Sequence, residues 1–343
     1  IRAAYHEVAA LRYVPIEIGI HAFRPRTPET LLEQQFGDCK DKANLLIALL
    51  GELGIPAQFA LINRGSFTEP DFPGWQFNHA ITYIPGESPG ESPGEPPLWL
   101  DPTDGTTAFG SLAPGNAGRR AFVIDAAGAG AFQTVLPANP TEVTDAWDFA
   151  RHPDGGWIAT LRQTRSGMAD DRFRRHRLNA SPRQRDFQLR ETLQALLPLA
   201  DLVETAASDP SRLDEPTELT GRFVTDHPPT PQPDLPWQQP FLAPSRQLPL
   251  DLLDGQTLRY AQEITLPAPA NGATPPLPES FVAATPSLEL SVRWTALPDG
   301  RLRRTALCSL QSPVIPVTEY PQARAHFMEW RRHLAETLPL LPR

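Results

Sequence analysis

Apolar positions in the first 135 residues switch repeatedly between helical and extended spacing. Residues 3–11 read as a helix. Residues 12–20 carry Tyr13, Val14, Ile16, Ile18 and Ile20 and predict a strand. Thr27-Pro28-Glu29 opens a short helix, with Thr as cap, Pro in the first position and an acid in the first turn; it stops at Gly37. Asp38 and Asp41 have capping-box spacing. The helix they start is apolar nearly all round from residue 44 to 53, the pattern of a buried helix, and Gly54 and Pro56 end it. Strands are predicted over 57–62, 79–84 and 98–100. Between the last two, residues 86–97 repeat Gly-Glu-Ser-Pro with period four and predict a dispensable surface loop.

From about residue 140 extended segments dominate: 147–149, 157–163, 218–224, 258–266, 288–294 and 302–310. Pro-Asp-Gly turns follow His152 and Leu297. Ser181-Pro182 with Gln184 opens one helix, and a last helix runs over 321–338 with Phe327, Trp330 and Leu334 on one stripe. The Pro-rich run 227–249 divides this half. The expectation is an α+β chain: a core at 1–135, a β-rich unit with one helix at 136–235, and a β-sandwich-like unit ending in a helix at 236–343.

Composition narrows the function classes. The 343 residues carry a formal charge of −9, against a nucleic-acid binder or a polybasic membrane-surface protein. No stretch approaches the roughly 18–20 apolar residues of a membrane span. Two cysteines, Cys39 and Cys308, make no disulfide scaffold. Proline, at 40 residues, is about twice its usual share of roughly 5%. The two lysines of the chain, Lys40 and Lys42, flank Cys39, among 31 basic residues. The chain opens at Ile1 in what reads as mid-helix, so a fragment or processed form is expected.

Phe36-Gly37-Asp38-Cys39-Lys40-Asp41-Lys42 places a thiol in the first turn of the buried helix. Helix N-termini offer partial positive charge and free N–H groups, which favour a thiolate nucleophile and an oxyanion. Gly37 would let a substrate backbone approach, and Lys40 would add to the field at the thiol. Lys42, deeper in the helix, reads as structural. Gln76-Phe77-Asn78-His79 then supplies an imidazole at the start of a strand, and Trp99-Leu100-Asp101-Pro102-Thr103 a carboxylate at the end of the next. A thiol, a base and an orienting acid on successive elements follow the logic of a catalytic triad.

Gly37-Asp38-Cys39, Leu53-Gly54-Ile55-Pro56-Ala57, Asn78-His79-Ala80 and Trp99-Leu100-Asp101-Pro102-Thr103 together resemble the bacterial transglutaminase-like core over roughly residues 1–125. The resemblance is to the branch in which that core sits between β-rich domains of unassigned function. It implies a papain-like fold with Cys39 as nucleophile, His79 as base and Asp101 as its orienter. It also implies a peptide or protein amide substrate, no cofactor, and a periplasmic or secreted location that the residues themselves do not set. Superfamily members include proteases, amidases and transglutaminases, so the substrate stays open.

Other readings accompany this one. Cys39, His79 and Asp101 offer three metal donors, but no paired ligand motif supports a metal. A non-catalytic module that binds a peptide in the groove, with a protein partner docked on the β-rich half, is the alternative function. Trp75 and Trp99, flanking the two partner strands, are expected as cleft walls or core, and Asn78 as a cleft residue. Cys308 reads as core, and Arg172, Arg174, Arg175 and Arg177 as a solvated, internally paired stretch.

Overall fold

The computed structural model describes residues 1–16, 18–72, 74–86, 96–136, 139–237, 241–269 and 274–335. It is a sheet-rich mixture of helices and strands. Two compact units are present: Ile1–Asn139 with Asp254–Gln256, and Pro140–Leu253 with Thr257–Arg343. Most of the period-four segment lies outside the described residues.

In the first unit, helices α1 (Arg2–Ala10), α2 (Pro28–Gln34) and α3 (Cys39–Glu52) accompany short parallel strands β1 (Arg12–Tyr13) and β2 (Phe36–Gly37). The strand expected over 12–20 is only two residues long. A 3₁₀ turn at Ile20–Ala22 follows, and Ile18 and Ile20 are exposed, so the alternation there has no sheet to bury it. Strands β3 (Gln58–Ile62), β4 (His79–Ile84), β5 (Leu98–Leu100), β6 (Arg120–Ile124) and β7 (Gly130–Thr134) form an antiparallel sheet ordered β5-β4-β3-β6-β7. β4 is buried along its whole length, flanked by β3 and β5.

The capping box opens α3 as its spacing predicts: Asp41 N donates to Asp38 Oδ1 at 3.2 Å and Asp38 N to Asp41 Oδ2 at 3.3 Å. Leu45, Leu46 and Leu50 of α3 pack with Tyr5, Val8, Leu31, Ile84 and Leu100. The helix is not apolar to solvent all round, since Leu53 at its end is exposed. Tyr83 and Trp99 pack with tilted rings, centroids 4.5 Å apart, within a second cluster built on the same sheet.

The second unit holds β8 (Thr141–Arg151), β9 (Trp157–Ser166), α4 (Met168–Leu178), α5 (Pro182–Leu196), β10 (Asp201–Ala207), β11 (Thr217–Thr225), β12 (Leu250–Asp251), β13 (Leu258–Leu266), β14 (Phe281–Ala284), β15 (Leu288–Ala296), β16 (Leu302–Leu310), β17 (Val314–Ile315) and α6 (Tyr320–Ala335). Eight strands make one sheet, ordered β10-β11-β9-β8-β13-β16-β15-β14. β8 and β13 pair in parallel from Thr141↔Leu258 onward. The expected division near residue 235 is therefore no boundary between compact units; the sheet runs straight across it.

Nor is this half a sandwich. Along β8, β9, β11 and β15 buried and exposed positions alternate. The buried face is covered by helices, with Phe173, Leu189 and Leu193 in one cluster and Ala323, Phe327, Trp330 and Leu334 in another. The opposite face carries pairs such as Arg162–Glu218, Arg222–Glu204 and Arg303–Glu263 beside a short apolar stripe at Ala261, Leu307 and Val282, and so lacks the continuous apolar inner face of a sandwich. Between the clusters runs a buried polar seam, where Tyr260 Oη and Gln163 Nε2 donate to Asp145 at 2.8 and 2.7 Å. Burial, with Asp234 nearby, raises the Asp145 pKa to about 6.

The arginine run is a helix rather than a solvated stretch. The i,i+4 spacing pairs Arg174 with Asp170 at 2.7 Å and Arg175 with Asp171 at 2.8 Å, while Arg174 and Arg177 are buried. Cys308 is fully buried among Leu290, Leu310 and Phe327 in the core, as read.

Candidate active site

Cys39 is the first residue of α3, His79 the first of β4, and Asp101 follows β5 directly. Thr82 lies opposite Leu100, so Asp101 falls one residue further toward the His79 end of β4. His79 Nε2 donates to Asp101 Oδ2 at 2.9 Å, with both residues buried. Cys39 and His79 line the same cavity, and the thiol is close enough to add to the raised pKa of the ring. With Nε2 turned to Asp101, Nδ1 is the nitrogen left for the thiol.

Asp101 is held as a full acceptor. Thr103 donates to Oδ1 through its N–H at 3.1 Å and its hydroxyl at 2.6 Å, and Asn116 Nδ2 donates to Oδ2 at 2.5 Å. Tyr5 fixes the backbone, donating from Oη to the Asp101 carbonyl at 3.3 Å. Burial alone would raise the Asp101 pKa, but the charge and hydrogen bond of His79, with Thr103, hold it well below the carboxylate range. Burial alone would lower the His79 pKa; Asp101, with a smaller contribution from Cys39, outweighs it and raises the value to about 9. The proton therefore rests on the imidazole at neutral pH.

The first turn of α3 has donors to spare. The capping box uses the N–H groups of Asp38 and Asp41, leaving those of Cys39 and Lys40 uncommitted among the described residues. Such a pair is a ready receptor for an oxyanion. Cys39 is half-buried and opens onto a cavity of about 560 Å³ whose walls are largely apolar and aromatic, among them Tyr13, Phe23, Phe59, Trp75 and Phe77. Burial, followed by the charges of Cys39 and Asp38, pushes the Tyr13 phenol up to about 12. Phe23 and Trp75 meet edge to face at 5.7 Å, and Trp75 is 70% exposed.

Of the expected cleft residues, Lys40, Trp75 and Asn78 line this cavity. Lys40 is ion-paired to Asp38, so its charge is shared rather than turned wholly to the thiol. Asn78 also holds the neighbouring turn, accepting from Arg64 N at 2.7 Å. Trp99 is buried in the core with Tyr83 and does not line the cavity. Gly37 is not an approach for substrate either. A Cβ there would meet Leu31 Cδ1 at 2.5 Å and Asp41 Cβ at 2.8 Å, so its bareness is what lets α2 and the α3 cap close together. Gly37→Ala should destabilise by about 1–3 kcal/mol in urea unfolding, an outcome that a substrate-approach role alone would not produce.

The sequence reading missed Asn116 and Thr103, the second and third partners of Asp101. Asn116 stands in Gly115-Asn116-Ala117-Gly118, where turn chemistry explains an Asn equally well. It also missed how fully Lys42 is enclosed: its ammonium donates to the carbonyls of Ala9 and Leu11 at 3.2 and 2.7 Å. Burial lowers its pKa to about 8. Among the described residues no group of three or more His, Cys, Asp or Glu is placed to hold a metal ion, and no helix is long and apolar enough to cross a membrane.

No family model matches the chain, and no curated protein matches it. The chain is similar in fold to a solved crystal structure named "putative protease" from Parabacteroides distasonis, with a TM-score of 0.50 and 14% identity over 95% of this chain. It spans 48% of that protein, about half its length. At this identity the likeness is one of fold.

Proposed function

We propose that this chain is a cysteine-dependent acyl-transfer enzyme acting on amide bonds, built on a papain-like core of the transglutaminase-like kind. The observation that carries the reading is the relay from a half-buried thiol at a capped helix start, through a buried imidazole, to a carboxylate with four hydrogen-bond donors. Cys39 attacks the amide carbonyl carbon as a thiolate, its proton already resting on His79, and the carbonyl oxygen takes the electron pair while facing the N–H groups of Cys39 and Lys40. The protonated His79 gives its proton to the departing amine as the C–N bond breaks, leaving a thioester. Neutral His79 then takes a proton from water or a second amine as that nucleophile displaces the sulfur. Water makes the enzyme a protease or amidase; an amine makes it a transglutaminase. The aromatic walls favour a peptide or protein substrate with a bulky apolar side chain near the reacting amide.

Two measurements test this. Iodoacetamide followed by peptide mapping should label Cys39 quickly and Cys308 hardly at all, since burial encloses Cys308 and pushes its thiol pKa well up. Equal, slow labelling of both would leave a groove without a nucleophile. Incubation with a peptide library and mass spectrometry then reads cleavage, deamidation and crosslinking together.

A further inference from the structure

In the second unit a separate cavity of about 460 Å³ opens between α4 and α5, bordered by the Asp234–Pro236 segment. Its floor is apolar, with Val143, Ala169, Phe173 and Phe187. Its charged groups are not balanced. Arg165 and Asp234 neutralise each other at 2.6 Å. That leaves Arg172, Arg177 and the imidazole of His176 facing the single carboxylate of Glu191.

Arg177 is the telling residue. It is 6% exposed, its guanidinium lies 4.9 Å from the centre of the Phe173 ring, and one terminal nitrogen donates to the Arg185 carbonyl. No carboxylate among the described residues lies within ion-pair distance of it, and its Nε has no hydrogen-bond partner. The Asp186 charge reaches it only from beyond ion-pair distance, and an enclosed guanidinium with no carboxylate in contact is unfavourable unless something else supplies the anion. On the same wall the Oε1 of Gln188 is buried and lacks a donor. Arg172 is exposed at the rim and tied to the structure through a single bond to the Pro236 carbonyl at 3.1 Å.

We propose that this cavity binds the free C-terminal residue of a peptide, or an N-acyl amino acid, with an apolar side chain. The carboxylate answers Arg177 and Arg172, the amide N–H meets the acceptor of Gln188 once that side chain turns toward the cavity, and the side chain fits the surface of Phe173 and Phe187. Arginine and carboxylate match in planar geometry, which favours this ligand over a spherical anion. The site shares no residue with the Cys39 cleft, and its occupancy does not depend on that cleft's chemistry.

The probe is N-acetyl-L-phenylalanine, titrated calorimetrically into the full chain at pH 7 and low salt, with N-acetyl-L-phenylalaninamide as its uncharged twin. The acid should bind at least tenfold more tightly than the amide. Arg172→Gln should weaken the acid at least tenfold without moving the thermal unfolding midpoint, because Arg172 sits exposed at the rim. Phe187→Ala should weaken both probes. Equal binding of acid and amide, or no binding of either, overturns the proposal. So does binding that survives Arg172→Gln but is lost in Trp75→Ala, which would assign it to the Cys39 cleft.

Discussion

Cys39→Ala should abolish amide turnover, lowering kcat/KM by about 10⁴-fold or more, while the protein unfolds at an unchanged temperature. The thiol is half-buried at a helix start, and its removal takes away one small polarisable atom without opening the core. Asp101→Asn should act on a similar scale, about 10⁴-fold in kcat, through the imidazole it orients. The two losses should not add, since each disables the same relay. Turnover that survives Cys39→Ala within tenfold would sink the mechanism. It would also separate failure of the chemistry from failure of the fold, because the same samples report both.

The largest pH effect should come from His79. Its folded pKa of about 9 lies above the ordinary value near 6.5, so the folded state holds a proton that the unfolded chain gives up. Stability from this group is full below about pH 6.5 and is lost as pH rises toward 9. Between pH 6.5 and 8 the loss should be roughly 1.5 kcal/mol for the first unit. From about pH 7 the buried Lys42 works in the opposite sense, because its depressed pKa of about 8 favours a folded state that binds fewer protons. Between pH 6.5 and 8 it offsets only about 0.4 kcal/mol, so the His79 slope dominates in that window. The Asp101 side of the pair acts only in acid, where stability falls as the carboxylate is protonated, and it is the same interaction counted once. Urea unfolding across the window reads the slope, and Asp101→Asn should flatten it. A flat wild-type profile would mean that the imidazole carries no bound proton.

The site was legible where the chemistry is local. Asp38 and Asp41 sit three residues apart and close a capping box, so the setting of Cys39 follows from spacing alone. His79 and Asp101 could be paired because each stands at the end of a short, strongly apolar strand. What stayed hidden depends on distant contacts. Asn116 reaches Asp101 across 15 residues of loop, and nothing in a Gly-rich turn says which way its amide faces. The pattern leaves Trp99 open between cleft wall and core, because an aromatic beside a functional strand fits either face; its burial with Tyr83 places it in the core. Arg174 looked solvated since its backbone partners, Pro210, Arg212 and Glu215, lie far along the chain. The sequence suggests two units where one eight-stranded sheet stands, because β8 meets β13 only after more than a hundred residues have intervened.

That last pairing has a consequence for the order in which the second unit assembles. On one flank β8–β9 and β10–β11 pair antiparallel as neighbours in sequence and β9 with β11 across two helices; on the other β14–β15 and β15–β16 do the same, with β13 joining β16 across that pair. Each flank can zip from its own hairpins, β8–β9 and β15–β16, with little loop entropy to overcome. The parallel seam joins them at the widest sequence separation in the sheet and offers no hairpin to nucleate it. Pairing along that seam is therefore expected to come after the hairpins on either flank, with Val143, Tyr260 and Ile264 among the side chains it brings together.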